Sequence, residues 1–132
     1  MILTQQHLRR KRRFGRPRIY DAVNRLVTIQ FGGVSQIPMR VDLAYTARDQ
    51  LASVTRYSDL AGTTKVGTTS MAYDADMRLT TIQFLSATNT VLDTFGYGFD
   101  LADRLQTETT NGSTVTYCLH SRENDPLAIM RD

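Results

Sequence analysis

At 132 residues, with 41% hydrophobic and 22% charged side chains, the chain has the length and composition of one globular domain. Its single cysteine excludes an internal disulfide and a cysteine-pair metal site, and it has no apolar run of about eighteen residues to serve as a membrane-spanning helix. The net charge of +3 belongs to one segment: seven of the sixteen basic residues are Arg9, Arg10, Lys11, Arg12, Arg13, Arg16 and Arg18, and the other nine face thirteen acidic residues.

The first eighteen residues read as a basic, flexible arm. Met1 to Leu8 is short and polar, without the apolar centre of a signal peptide. Phe14-Gly15-Arg16-Pro17-Arg18 approaches the Arg-Gly-Arg-Pro core of hooks that lie in an A·T minor groove, but Phe14 stands where the first Arg belongs. A run of like charges reads first as a solvated tail with non-specific anion affinity, so nucleic acid is an alternative partner here. His7 has no partner in the sequence.

Beyond the arm one phrase recurs, and such a repeat decides the architecture. Tyr20-Asp21-Ala22-Val23-Asn24-Arg25-Leu26 is followed by Tyr45 to Leu51, which keeps the aromatic and the Leu but loses the Asp and the Arg. Tyr73-Asp74-Ala75-Asp76-Met77-Arg78-Leu79 nearly repeats the first copy, and Phe99-Asp100-Leu101-Ala102-Asp103-Arg104-Leu105 has Phe for Tyr. Before each aromatic the chain alternates with period two, as in Val41, Leu43, Tyr45 and in Phe95, Tyr97, Phe99 with Gly96 and Gly98 between. That period marks half-buried strands. Each phrase is therefore predicted to be a strand ending at the aromatic, a tight turn, and a second strand starting at the Leu.

Asn24, Asp49 and Asp103 stand before the last turn residue and tolerate a left-handed backbone. Asp21, Asp74 and Asp100 are predicted to accept the turn's free N–H groups. Met77 lacks that tolerance, so a differently shaped or strained turn is expected there. The other turns are predicted at Gly32-Gly33, in a long connection holding Gly62 and Gly67, at Ser86 to Thr90, and at Asn111-Gly112, a strong hairpin dipeptide. The fold class is all-β, an antiparallel meander of hairpins.

These phrases resemble the YD-repeat, or Rhs-repeat, family, whose consensus is roughly Tyr-Asp-x-x-Gly-Arg-Leu-Thr. Tyr20 to Thr28 and Tyr73 to Thr80 match closely, Phe99 to Leu105 with Phe for Tyr, Tyr45 to Leu51 in degenerate form, and Tyr117 to Arg122 keeps only its ends. The resemblance implies a meander or spiral of hairpins over residues 19–124, with a tail at 125–132. It also implies a segment of a large hollow β-shell in a secreted or cell-surface protein, in bacteria one that can enclose a toxin. Asp125-Pro126-Leu127 lacks the family's self-cleaving pattern, and no catalytic residue carries over. Carbohydrate binding is ascribed to some members.

The signature residues are therefore Tyr20, Asp21, Arg25, Leu26, Tyr45, Leu51, Tyr73, Asp74, Arg78, Leu79, Phe99, Asp100, Arg104 and Leu105, read as structural. Asp74 with Asp76, and Asp100 with Asp103, could be imagined as catalytic or calcium-binding pairs, but a turn is needed in every repeat and a catalytic pair only once. The arginines are predicted to pair with turn aspartates of the same or a neighbouring hairpin. Cys118 and His120 lack further soft ligands, Asn111-Gly112-Ser113 is explained by its turn, and no metal or cofactor is expected. Tyr73, Phe95, Tyr97 and Phe99 are expected to pack on a sheet face; as a platform for sugar they give the alternative of a carbohydrate-binding module. The expectation is a non-catalytic fragment of a longer array, marginally stable alone, whose open sheet edges meet neighbouring repeats or other chains.

Overall fold

The computed structural model describes residues 17–118. They form one antiparallel sheet of nine strands: β1 (Arg18–Tyr20), β2 (Leu26–Gly33), β3 (Gln36–Tyr45), β4 (Leu51–Tyr57), β5 (Lys65–Tyr73), β6 (Leu79–Ser86), β7 (Val91–Phe99), β8 (Leu105–Thr110) and β9 (Ser113–Thr116). Their order in the sheet is their order in the chain. β1, β3, β5 and β7 end on the aromatic of a phrase, and β2, β4, β6 and β8 begin on its Leu, as the alternation predicts. Arg9, Arg10, Lys11, Arg12, Arg13 and Arg16, like His7, His120 and the tail, lie outside the described residues. Arg18 opens β1 and pairs with Ile29.

The register separates two faces. Cross-strand partners share a face, so Ile29, Val41, Leu43, Val54, Met71, Ile82, Phe84, Phe95 and Tyr97 lie on one largely apolar side, interrupted by Arg56, Thr69, Asp93 and Glu108. The opposite side is polar: Thr28, Asp42, Thr55 and Thr68 lie in one row across four strands. No hydrophobic residue among those described is buried, because no second layer among the described residues covers the apolar side. A sheet ordinarily buries such a face against another element.

The strands also slide. Ile19, Thr28, Asp42, Thr55 and Thr68 are successive partners along one line. Tyr20, Tyr45 and Tyr73 stand one, three and five residues beyond it, and Phe99 seven beyond by way of Thr69, Phe84 and Asp93. Each hairpin therefore shifts two residues relative to the last, about 6.7 Å along the strands for about 9.6 Å across them. The resulting tilt is about 35°, that of closed barrels.

Two connections differ from the sequence reading. Gly32 and Gly33 belong to β2; the turn falls at Val34-Ser35, and Ser35 takes the positive φ of 64°. Gly32 instead gives room to Leu60, whose methyl carbon would lie 3.3 Å from an added Cβ. The Leu60 loop folds over the polar face: Gln30 Nε2 donates to its carbonyl at 2.8 Å and Arg40 Nη1 to that of Ala61 at 3.1 Å. Gly67 likewise lies in β5 and not in the loop. Gly62, at φ 79°, is the loop's left-handed residue, and Asp59 Oδ1 accepts its N–H. Asn111 and Gly112, at φ 48° and 90°, make the expected two-residue hairpin turn.

Candidate functional site: a ladder of turns along one sheet edge

All four phrase turns lie on the same edge of the meander. Each closes identically: Asp21 N donates to Arg25 O at 2.9 Å and Asn24 N to Asp21 O at 3.0 Å, with equivalent pairs at Thr46 to Gln50, Asp74 to Arg78 and Asp100 to Arg104. This is a type I turn followed by one left-handed residue, the form of a three-residue hairpin loop. Asn24, Asp49, Met77 and Asp103 fill the left-handed place at φ 61–67°. The turn at Met77 thus keeps the common shape and accepts the strain. Left-handed backbone costs a side-chain-bearing residue about 1–2 kcal/mol, partly offset by glycine's entropy loss of about 0.5–1 kcal/mol. Met77→Gly is expected to raise the melting temperature, by a net stabilisation of about 0.5 kcal/mol.

The first turn residue holds the loop. Asp74 Oδ1 accepts the N–H groups of Asp76 and Arg78 at 3.0 and 2.9 Å, while Oδ2 accepts Arg78 Nε at 2.7 Å. Asp21 with Arg25 and Asp100 with Arg104 repeat the pattern. Backbone donation from the arginine's own N–H, with its guanidinium second, holds all three carboxyls below the ordinary carboxylate value. A lowered folded value stabilises the fold above the unfolded carboxylate pKa and loses that contribution as pH falls through it. The melting temperature is therefore expected to drop below about pH 4, and Asp74→Asn should flatten that drop in melts taken from neutral to acid.

The Arg reaches forward to the next phrase. Arg25 Nη1 donates to Asp49 Oδ1 at 2.5 Å, with its guanidinium 4.9 Å from the centre of the Tyr45 ring. Arg78 does the same with Asp103 at 2.5 Å and the Phe99 ring at 5.0 Å. The aromatic reaches back: Tyr45 OH donates to Leu26 O at 2.8 Å and Tyr73 OH to Leu51 O at 2.9 Å. Phe99 has no hydroxyl to offer Leu79. Phe99→Tyr is expected to supply that bond and stabilise the fold by about 0.5–1.5 kcal/mol, read as a higher urea midpoint.

The degenerate second phrase keeps the mechanics with other chemistry. Thr46 Oγ1 replaces the carboxylate, accepting the N–H groups of Arg48 and Gln50 at 3.2 Å each. Gln50 Nε2 replaces the forward Arg, donating to Met77 O at 2.8 Å, and Arg48 Nη1 donates to Ala75 O at 2.6 Å. The turn predicted at Ser86 to Thr90, on the opposite edge, takes the same form, which the sequence reading did not anticipate. Ser86 Oγ accepts the N–H groups of Thr88 and Thr90, and Asn89 takes φ 66°. Its signal was the same spacing of a short acceptor and an Asn three residues later.

The other singled-out residues are engaged structurally. Asn111 Oδ1 accepts Thr94 N at 2.9 Å and its Nδ2 donates to Asp93 at 2.6 Å. Phe95 and Tyr97 are half-buried on the apolar face, whereas Tyr73 and Phe99 belong to the ladder. Cys118 is exposed. Fold and ladder define an all-β chain of antiparallel hairpins in one open sheet, each phrase gripping the next. No protein-family model matches the chain, and no curated protein matches it.

Proposed function

We propose that this chain is a non-catalytic wall segment of the YD/Rhs-repeat type, built to continue into a larger secreted or cell-surface β-shell. The observation carrying this reading is the largely apolar face from Ile29 to Tyr97, which no second layer among the described residues covers. The stagger of two residues per hairpin supports it, since a constant tilt makes an extended sheet coil instead of lying flat. So does the ladder, whose last member, Arg104, is 45% exposed against 31% and 26% for Arg25 and Arg78. It pairs with Asp100 behind it. The recurring aspartates are occupied by turn N–H groups and guanidinium donors, which favours structural over acid–base work.

The test has two parts. The full chain should bind an apolar dye strongly at its open face, and the coding sequence on either side of this frame should continue the aromatic-to-Leu phrase. A dye-silent chain flanked by unrelated sequence on both sides would exclude the shell.

A further inference from the structure

The two edges of the sheet are not alike. β1 is three residues long, begins with the charged Arg18, and is preceded by Pro17, which has no N–H to offer. Pro, charge and short length are devices that keep an edge from recruiting another strand. β9, at four residues, is also short but carries neither Pro nor charge: Ser113-Thr114-Val115-Thr116 is uncharged, mostly β-branched and exposed throughout.

Alternation fixes which β9 groups are free. Thr110 and Ser113 close the two-residue hairpin, and Tyr117 N donates to Gln106 O at 2.7 Å, so Ser113, Val115 and Tyr117 turn their backbone groups toward β8. Thr114, Thr116 and Cys118 therefore turn theirs outward, away from β8. On the apolar side Val115 and Tyr117 are 56% and 38% exposed.

We propose that β9 is a strand-pairing edge through which two copies of this chain join, antiparallel, about a two-fold axis at Thr116. This register matches outward backbone to outward backbone: Thr116 faces its own copy, and Thr114 faces Cys118 of the other. It also sets Val115 opposite Tyr117 of the second copy twice over, an aromatic-to-β-branched pairing that sheets favour. The hydroxyls of Thr114 and Thr116 extend a threonine row on the polar side, where Thr109 and Thr114 already share a hydrogen bond at 2.9 Å. A two-fold axis normal to the sheet keeps both apolar faces on one side and preserves the stagger across the join. The second copy is the favoured occupant because its β9 has the same length, the same free groups and a self-complementary side-chain order. The inference concerns this chain by itself, since the shell reading would give the same edge to the next hairpin of a longer array; the crosslinking readout tests the edge and the dye readout tests the face.

Sedimentation and disulfide trapping of the full chain test it. The wild type is expected to show a doubled mass at high protein concentration, and Thr116→Pro a single mass with the hairpin intact, since that N–H points away from β8. In a Cys118→Ser background, Thr116→Cys should crosslink fully on mild oxidation, because a directly opposed hydrogen-bonded pair has Cα atoms about 5.5 Å apart. Thr114→Cys in the same background should not, its thiols being separated by four residues along the strands, about 13 Å. A monomeric wild type, a dimer that survives Thr116→Pro, or crosslinking at position 114 in preference to 116 overturns the proposal. A monomer whose Thr114 and Thr116 amides resist hydrogen exchange overturns it too, by showing the edge covered within the chain.

Discussion

Gly67→Ala is expected to lower stability by about 1–3 kcal/mol, the cost of forcing atoms into a site with no room for them. Gly67 pairs with Ser86, and a Cβ there would lie 2.7 Å from the carbonyl oxygen of Leu85. That oxygen is main chain, held where the register between β6 and β7 slips at Phe84 and Leu85. No side-chain rotation relieves the contact, so β5 and β6 must separate locally. Gly96→Ala provides the comparison, because its Cβ would meet Thr109 Cβ at an ordinary 3.5 Å. Urea unfolding should show a lowered midpoint for Gly67→Ala and an unchanged or higher one for Gly96→Ala. Equal midpoints would mean that the Leu85 carbonyl is free to move.

The second large effect is expected at Gly98, and it should depend on one hydroxyl. Thr107 lies opposite Gly98, and its Oγ1 would be 2.2 Å from a Cβ added there, while its own Cβ would be at 3.6 Å. Gly98→Ala is expected to cost about 1–2 kcal/mol through that single atom. In a Thr107→Ala background the clash is gone, and the cost should fall below about 0.5 kcal/mol. The double-mutant cycle measures the difference directly. A cost independent of Thr107 would locate the strain in the backbone of the bulge between Gly98 and Phe99 instead.

These two glycines also mark the limit of what could be read from the sequence. Strand ends were legible because each aromatic and each Leu sits where the two-residue period stops and resumes. The turn aspartates and left-handed positions were legible because few residue types do those jobs. Gly32, Gly33 and Gly67 were misplaced because glycine has two uses that a sequence does not separate. One is a left-handed turn, and the other is close approach by something distant in the chain. At Gly32 and Gly67 the second applies, to Leu60 and to the Leu85 carbonyl. Ser35, which nothing in its neighbourhood advertised, took the left-handed position instead. Of the ladder, the pairing of Arg25, Arg78 and Arg104 with turn aspartates was anticipated. The stacking of Arg25 on Tyr45 and the return bond from the Tyr45 hydroxyl were not. They depend on the two-residue stagger, a property of register between hairpins that the repeat spacing, varied by its loops, conceals.

Because every described strand touches only those before and after it in sequence, this sheet is expected to avoid much of the kinetic penalty usual for β architecture. Sandwiches fold slowly because distant segments must find each other before any contact rewards the search. Here each new strand needs only the one just laid down. Assembly can start at any hairpin, the tight Asn111-Gly112 corner included, and spread outward like a zipper.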